Sequence, residues 1–130
     1  MEVAKKAYAA TPSDETIAQA YVLASTQVLS RDESVALIDS MMKTASSRMK
    51  SYLYYRKSYL ERTEEVVLSD LRSSLIANPR NSDALFRLYE IYYDKKDYRK
   101  AQYYLKQVVA INPNDSSVRK LNEALTQLVQ

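Results

Sequence analysis

The chain has 130 residues, of which 46% are apolar and 27% are charged, as in ordinary globular domains. Histidine and cysteine are absent, which excludes disulfides, thiolate nucleophiles, histidine bases and histidine-based metal sites. The net charge of +3 arises from 19 basic and 16 acidic residues, and this mixed balance gives little support to a nucleic-acid partner.

The spacing of apolar residues predicts seven helices, and the absence of glycine favours short polar turns between them. Their expected bounds are about 14–29, 32–46, 48–61, 64–77, 82–95, 97–111 and 116–129. Residues 1–13 are predicted to be an N-terminal extension, either a frayed start or a helix of a longer protein, before a single helical domain at 14–130. Neither proline nor glycine interrupts residues 33–77, so the second and third helices could instead be one long helix.

No apolar run in the chain reaches the roughly 18–20 residues that a membrane-spanning helix needs. The first residues also lack the apolar core of a signal peptide. A cytoplasmic location and the extracytoplasmic part of an exported or anchored protein fit this composition equally well.

Two Asn-Pro pairs, Asn78-Pro79 and Asn112-Pro113, lie 34 residues apart. Laying the chain on itself at this offset also pairs residues of similar size: Tyr52 with Phe86, Tyr55 with Tyr89, Tyr59 with Tyr93, Val67 with Ala101, and Leu71 with Leu105. A period of 34 in a helix–turn–helix pattern is typical of helical solenoids.

The 34-residue period defines two units, at 48–81 and 82–115, and the second is the clearer repeat. Its expected N-caps are Ser82 or Asp83 for the first helix and Asp97 for the second. The positions expected to pack the repeat are Leu85, Leu88, Tyr92, Ala101, Leu105 and Pro113. Together these residues resemble the tetratricopeptide repeat, with Tyr89 and Lys96 in place of its two usual glycines.

Other parts of the chain resemble the same family less closely. In residues 48–81, Tyr54, Ser58 and Val67 replace the usual Leu, Tyr and Ala, and 17–47 is read as a degenerate repeat. Residues 116–130 are similar to a capping helix, whose inward stripe is expected to be Val118, Leu121, Leu125 and Leu128. The resemblance implies an all-α fold, a right-handed helical solenoid of antiparallel helix pairs with about seven helices.

The candidate binding site follows from the tyrosines, of which the chain has 12 against one phenylalanine. In the family that the chain resembles, the first helix of each pair lines a concave groove. The residues that this geometry assigns to the groove are Tyr52, Arg56, Tyr59, Phe86, Glu90 and Tyr93. The alternative is that these rings only pack against the N-terminal helices.

The predicted function is a non-catalytic protein–protein interaction module that binds a peptide or helix of a partner protein, with no cofactor and no metal. Members that hold an acidic C-terminal tail use a clamp of Lys, Asn and Arg; the corresponding places here are Asp83, Phe86 and Glu90, and only Arg87 fits. A more apolar ligand of mixed charge is therefore expected. The alternative function is a structural or oligomerising segment, such as a homodimer, with RNA or DNA binding a distant third.

Overall fold

The computed structural model describes residues 2–11 and 13–129 of the chain. All regular structure in this part of the chain is α-helical, so the predicted all-α fold class is confirmed. The helices are α1 (Glu2–Ala10), α2 (Glu15–Val28), α3 (Arg31–Met42), α4 (Ser47–Ser58), α5 (Glu64–Ala77), α6 (Ser82–Asp94), α7 (Tyr98–Ile111) and α8 (Ser116–Val129). Met1, Pro12 and Gln130, which fall in the predicted extension and the predicted last helix, lie outside the described residues.

Helices α2 to α8 correspond to the seven predicted helices, and α1 occupies most of the predicted extension. The alternative of one long helix after residue 33 is wrong, because α3 ends at Met42 and α4 begins at Ser47. Ser46 separates them with an extended backbone, and its hydroxyl accepts a hydrogen bond from the Met49 amide at 3.1 Å. A serine cap of this kind starts a helix without help from proline or glycine.

The described residues fall into two compact units. The N-terminal unit contains α1 to α5 and ends at Ala77, and the C-terminal unit contains α6 to α8 and begins at Asn78. In the N-terminal unit, Tyr8 of α1 stacks on Tyr21 of α2 with ring centroids 4.7 Å apart. Buried apolar side chains of α2, α3 and α4 form its core: Ala18, Val22, Ile38, Met41, Met49 and Leu53.

Helices α4 and α5 approach each other closely through two serines. Ser51 and Ser74 are both fully buried, and each hydroxyl donates a hydrogen bond of 2.7 Å to the backbone carbonyl of the other residue. Small side chains allow this approach, and the paired hydrogen bonds satisfy both buried hydroxyls. Val67, which replaces the usual Ala of the repeat, is also buried on α5.

The C-terminal unit is built on the pair α6 and α7. Leu85, Leu88 and Tyr92 of α6 are at most 7% exposed, and Ala101 and Leu105 of α7 are fully buried. Pro113 is exposed in the turn after α7. The N-cap of α7 is Asp97, as predicted, whereas α6 is capped by Asn81, so the prediction of Ser82 or Asp83 is wrong.

The turn between α6 and α7 holds a strained residue. Lys96 has a φ of 61°, and none of the other described residues has a positive φ. A side chain with a Cβ is disfavoured in this left-handed region, which is why glycine is usual there.

We expect Lys96→Gly to raise the free energy of unfolding by about 0.5–1 kcal/mol, since relief of this strain exceeds the added freedom of the unfolded chain. Chemical denaturation measures the change. Lys95→Gly is the control, because Lys95 has a φ of −80° and gains nothing from glycine. Equal effects of the two substitutions would contradict the argument.

Helix α8 packs on α7 with a different rotation from the predicted one. Val118 and Leu125 are buried, but Leu121 is 38% exposed and Leu128 is 50% exposed, so their predicted inward position is wrong. The Gln102 side chain of α7 donates a hydrogen bond of 2.8 Å to the Thr126 hydroxyl of α8. This polar contact turns the Thr126 side of α8 towards α7, and Leu121 and Leu128 lie about 60° round the helix from Val118 and Leu125.

Candidate functional site

The face of α4 carries three of the predicted site residues, Tyr52, Arg56 and Tyr59, spaced four and then three residues apart. Tyr52 is half-buried, and its hydroxyl donates a hydrogen bond of 3.2 Å to the Gln19 carbonyl of α2. Tyr52 therefore takes part in packing α4 against α2. The alternative interpretation, in which the rings only pack against the N-terminal helices, expected a contact of this kind for every ring of the predicted site.

Tyr59 is arranged differently, at the C-terminal end of α4. Its side chain is 47% exposed, its ring lies edge-on to Tyr55 at 5.4 Å, and the two hydroxyls are 3.1 Å apart. The Arg56 guanidinium carbon lies 5.3 Å from the Tyr59 ring centroid, and Nη2 donates to the Thr26 hydroxyl at 3.4 Å. The ring is thus held in place by neighbours while much of it faces solvent.

The face of α6 carries the other three predicted residues, Phe86, Glu90 and Tyr93. Phe86 is half-buried, whereas Glu90 and Tyr93 are exposed, Tyr93 by 41%. Three rings of α6 and one of α7 form a row with centroids 5.2–5.8 Å apart, within the range for favourable aromatic contacts: Phe86, Tyr89, Tyr93 and Tyr98.

Tyr89 and Tyr98 belong to this arrangement although sequence reasoning left them out of the site. Tyr89 is 6% exposed and links Phe86 to Tyr93, and burial raises the pKa of its hydroxyl, with smaller contributions from Tyr93, Glu90 and Asp94. The spacing of Phe86, Tyr89 and Tyr93, three and then four residues, could have revealed the continuous row. Tyr98 lies on α7, so its contact with Tyr93 could be recognised only from the folded structure.

A cluster of charged side chains lies elsewhere in the N-terminal unit. Asp70 of α5 is 8% exposed; burial, and secondly a hydrogen bond to Glu61, raise the pKa of its carboxyl to about 7. Lys57 pairs with Asp39 at 3.1 Å, and Arg31 approaches Glu61 at 3.8 Å. The Arg31 Nε also donates to the Leu60 carbonyl at 2.6 Å, so the cluster joins α3, α4 and α5.

The residues of this cluster do not line the cavity found in the same unit. A cavity of about 200 Å³ in the same unit is lined by other residues, among them Tyr8, Glu15, Met41 and Met49. At its rim the Ser46 hydroxyl donates to the Glu15 carboxylate. In the described part of the chain, no three acidic side chains are grouped so that they could hold a metal ion.

Residues 67–125 match the family model described as tetratricopeptide repeat. This part of the chain is a tetratricopeptide repeat domain. The match runs from Val67 in α5 to Leu125 in α8 and so includes the α6–α7 pair, where the repeat was predicted most clearly. No curated protein matches the sequence.

The family fixes the function in general terms. Tetratricopeptide repeats are generally non-catalytic and serve in protein–protein interaction, so the chain carries an interaction module for protein partners. Across the residues that the structure describes, none of the helices is both long and apolar enough to span a membrane.

Proposed function

We propose that this tetratricopeptide domain is a non-catalytic module that binds an extended peptide or a helix of a partner protein through its tyrosine-bearing faces. We define these as the α4 face (Tyr52, Arg56 and Tyr59) and the α6 face (Phe86, Glu90 and Tyr93). The observation that carries the proposal is the exposure of Tyr59 (47%) and Tyr93 (41%), which occupy equivalent positions of the 34-residue repeat.

The two exposed rings have the properties of binding anchors. Tyrosine combines a large apolar area with few rotatable bonds, so ordering it on binding costs little entropy. Each ring is already held by a neighbour, Tyr59 by Arg56 and Tyr55, and Tyr93 by Tyr89 and Tyr98. Half-exposed, pre-ordered aromatic side chains are frequent hot spots of protein interfaces.

The charges on the two faces favour a ligand of mixed charge. Arg56 on α4 and Glu90 on α6 are equivalent in the repeat and opposite in sign. Arg56 would attract an acidic group of a ligand on the α4 face, and Glu90 would attract a basic group on the α6 face. An acidic C-terminal tail alone would be repelled by Glu90.

The test is affinity capture from cell extract with the wild-type domain and with Tyr59→Ala/Tyr93→Ala. Because both rings are about half exposed, the double variant should keep its helical circular dichroism and lose the protein captured by wild type. That protein, once identified by mass spectrometry, is then titrated in purified form. The control Val28→Ala/Ile76→Ala removes two exposed apolar side chains on other helices, 65% and 83% exposed, and should bind normally.

Two results would contradict the proposal. Unchanged affinity of the double variant for the purified partner would move the binding site away from both faces. Loss of helicity in the double variant would make these tyrosines part of the core and support the alternative packing role.

A second candidate function is self-assembly, and exposed leucines on α8 favour it. Leu121 and Leu128 are seven residues apart on one face of the helix, and both are exposed. Size-exclusion chromatography with light scattering distinguishes the candidates: a dimer that Leu121→Glu converts to a monomer supports assembly, and a wild-type monomer excludes it.

A further inference from the structure

One exposed side of α7 carries basic residues and no acidic residue. Arg99, Tyr103 and Lys106 lie within about 60° of one another round the helix and are all exposed. Ala101, Leu105 and Val108, on the opposite side, are buried. No acidic residue occurs in Tyr98–Ile111. We call Arg99, Lys100, Tyr103 and Lys106 the α7 basic face.

Aromatic contacts hold this face in a defined arrangement. Tyr103 is 64% exposed, and its ring packs edge-on against Tyr104 at 5.1 Å. Tyr104 in turn stacks on Tyr92 at 5.7 Å with the planes 8° apart. The Lys100 ammonium lies 5.3 Å from the Tyr92 ring centroid, on the same stack. A binding partner would therefore meet side chains whose positions are already restricted, which reduces the entropy cost of binding.

The net positive charge of the chain comes from the unit that carries this face. Nine basic and six acidic residues occur from Asn78 onward, whereas ten of each precede it, so the C-terminal unit accounts for the net charge of +3. On the turn beside α7, Asp97 is engaged as the N-cap and accepts from the Lys100 amide at 3.3 Å. Asp94, the last residue of α6, is the other acidic residue close to that turn.

We propose that the α7 basic face binds an acidic segment of a partner protein, separately from the ligand of the tyrosine-bearing faces. Charge complementarity selects carboxylates, and the exposed Tyr103 ring adds an apolar contact between Arg99 and Lys106. A protein segment fits better than nucleic acid, because single-stranded nucleic acid is held by several exposed rings along a basic groove. This face exposes one ring, Tyr103.

The test uses the full chain and a short fluorescein-labelled peptide rich in glutamate with one central leucine. Fluorescence anisotropy at low salt gives its affinity. We expect Arg99→Glu/Lys106→Glu to weaken binding about tenfold, since it replaces two attractions with two repulsions. The control Lys43→Glu/Arg48→Glu makes the same charge change at exposed sites in the N-terminal unit and should have little effect.

Further variants separate this face from the tyrosine-bearing faces. Tyr103→Ala should weaken the peptide about threefold, the loss of one exposed aromatic contact. Tyr59→Ala/Tyr93→Ala should leave its affinity unchanged. All these side chains are substantially exposed, so melting curves close to wild type are expected.

Three outcomes would overturn the proposal. Unchanged affinity of Arg99→Glu/Lys106→Glu would show that the peptide binds elsewhere. An equal loss in the Lys43→Glu/Arg48→Glu control would show attraction by net charge alone and leave the face merely solvated. Tighter binding of a single-stranded oligonucleotide of matched charge, lost on the same substitutions, would assign the face to nucleic acid instead.

Discussion

Replacing Leu125 with alanine is expected to lower the free energy of unfolding by about 2–5 kcal/mol. Leu125 is 1% exposed on the side of α8 that packs against α7, and the shortened side chain would leave a cavity there. Urea denaturation followed by circular dichroism measures the change, and an unaltered slope of the transition would confirm that stability is what changed.

Leu121→Ala is the matched control for this substitution. It makes the same chemical change four residues earlier in the same helix, at a side chain that is 38% exposed, and should cost less than about 1 kcal/mol. If the two variants lost similar stability, α8 would have the rotation that the apolar pattern alone predicted, with Leu121 facing inward.

The apolar pattern of α8 was insufficient because it placed four residues on one inward stripe, and two of the four are exposed. Helical spacing puts Val118, Leu121, Leu125 and Leu128 within about 80° of one another, so it could not separate the buried pair from the exposed pair. The rotation seen in the structure goes with the Gln102–Thr126 hydrogen bond, which joins residues 24 positions apart on two helices. Such a contact between polar side chains leaves no periodic signal in the sequence.

The α6–α7 pair could be predicted almost completely because its signals are local. Leu85, Leu88, Ala101 and Leu105 follow helical spacing, and Asp97 is a good cap at the start of α7. In the N-terminal unit, by contrast, small polar residues occupy buried positions where an apolar pattern expects none. Ser51 and Ser74, for example, are fully buried only because each hydroxyl reaches the other residue's carbonyl.

The candidate site was predictable as two sets of residues, one on each helix. Seven-residue spacing was enough to place Tyr52 with Tyr59 on α4 and Phe86 with Tyr93 on α6. How much each ring is exposed was not predictable, because the hydrogen bond of Tyr52 to Gln19 depends on how α4 packs against α2. Tyr59 and Tyr93, which are 47% and 41% exposed, are the residues best suited to test the proposed binding role.

The buried Asp70 carboxyl should make the stability of the protein depend on pH in the direction opposite to most carboxylates. Its pKa is raised from 3.8 to about 7, so between these values the folded protein holds a proton that the unfolded chain releases. Stability is therefore highest below about pH 4 with respect to this group and falls as the pH rises to about 7. At about 1.4 kcal/mol per pKa unit, the loss is on the order of a few kcal/mol.

The surroundings of Asp70 explain this direction. Burial and the hydrogen bond with Glu61 both favour the protonated carboxyl. The Lys57 charge favours the ionised form, but Lys57 is already paired with Asp39 at 3.1 Å. Arg31 pairs with Glu61 at 3.8 Å. The remaining Asp70 Oδ2 is buried without a hydrogen-bond partner, so ionisation would leave a charge that nothing neutralises directly.

Asp70→Asn removes this titration while keeping the shape of the side chain. The variant should be about as stable as wild type near pH 4 and more stable by on the order of a few kcal/mol near pH 8. Urea denaturation at a series of pH values gives the difference in the free energy of unfolding between the two proteins. The contributions of the other carboxylates largely cancel in this difference. Asp39→Asn, at a carboxylate that is 54% exposed, is the control and should keep most of the wild-type slope. Parallel curves for wild type and Asp70→Asn would mean that Asp70 is ionised in the folded protein, and that the cluster is an ordinary ion-pair network.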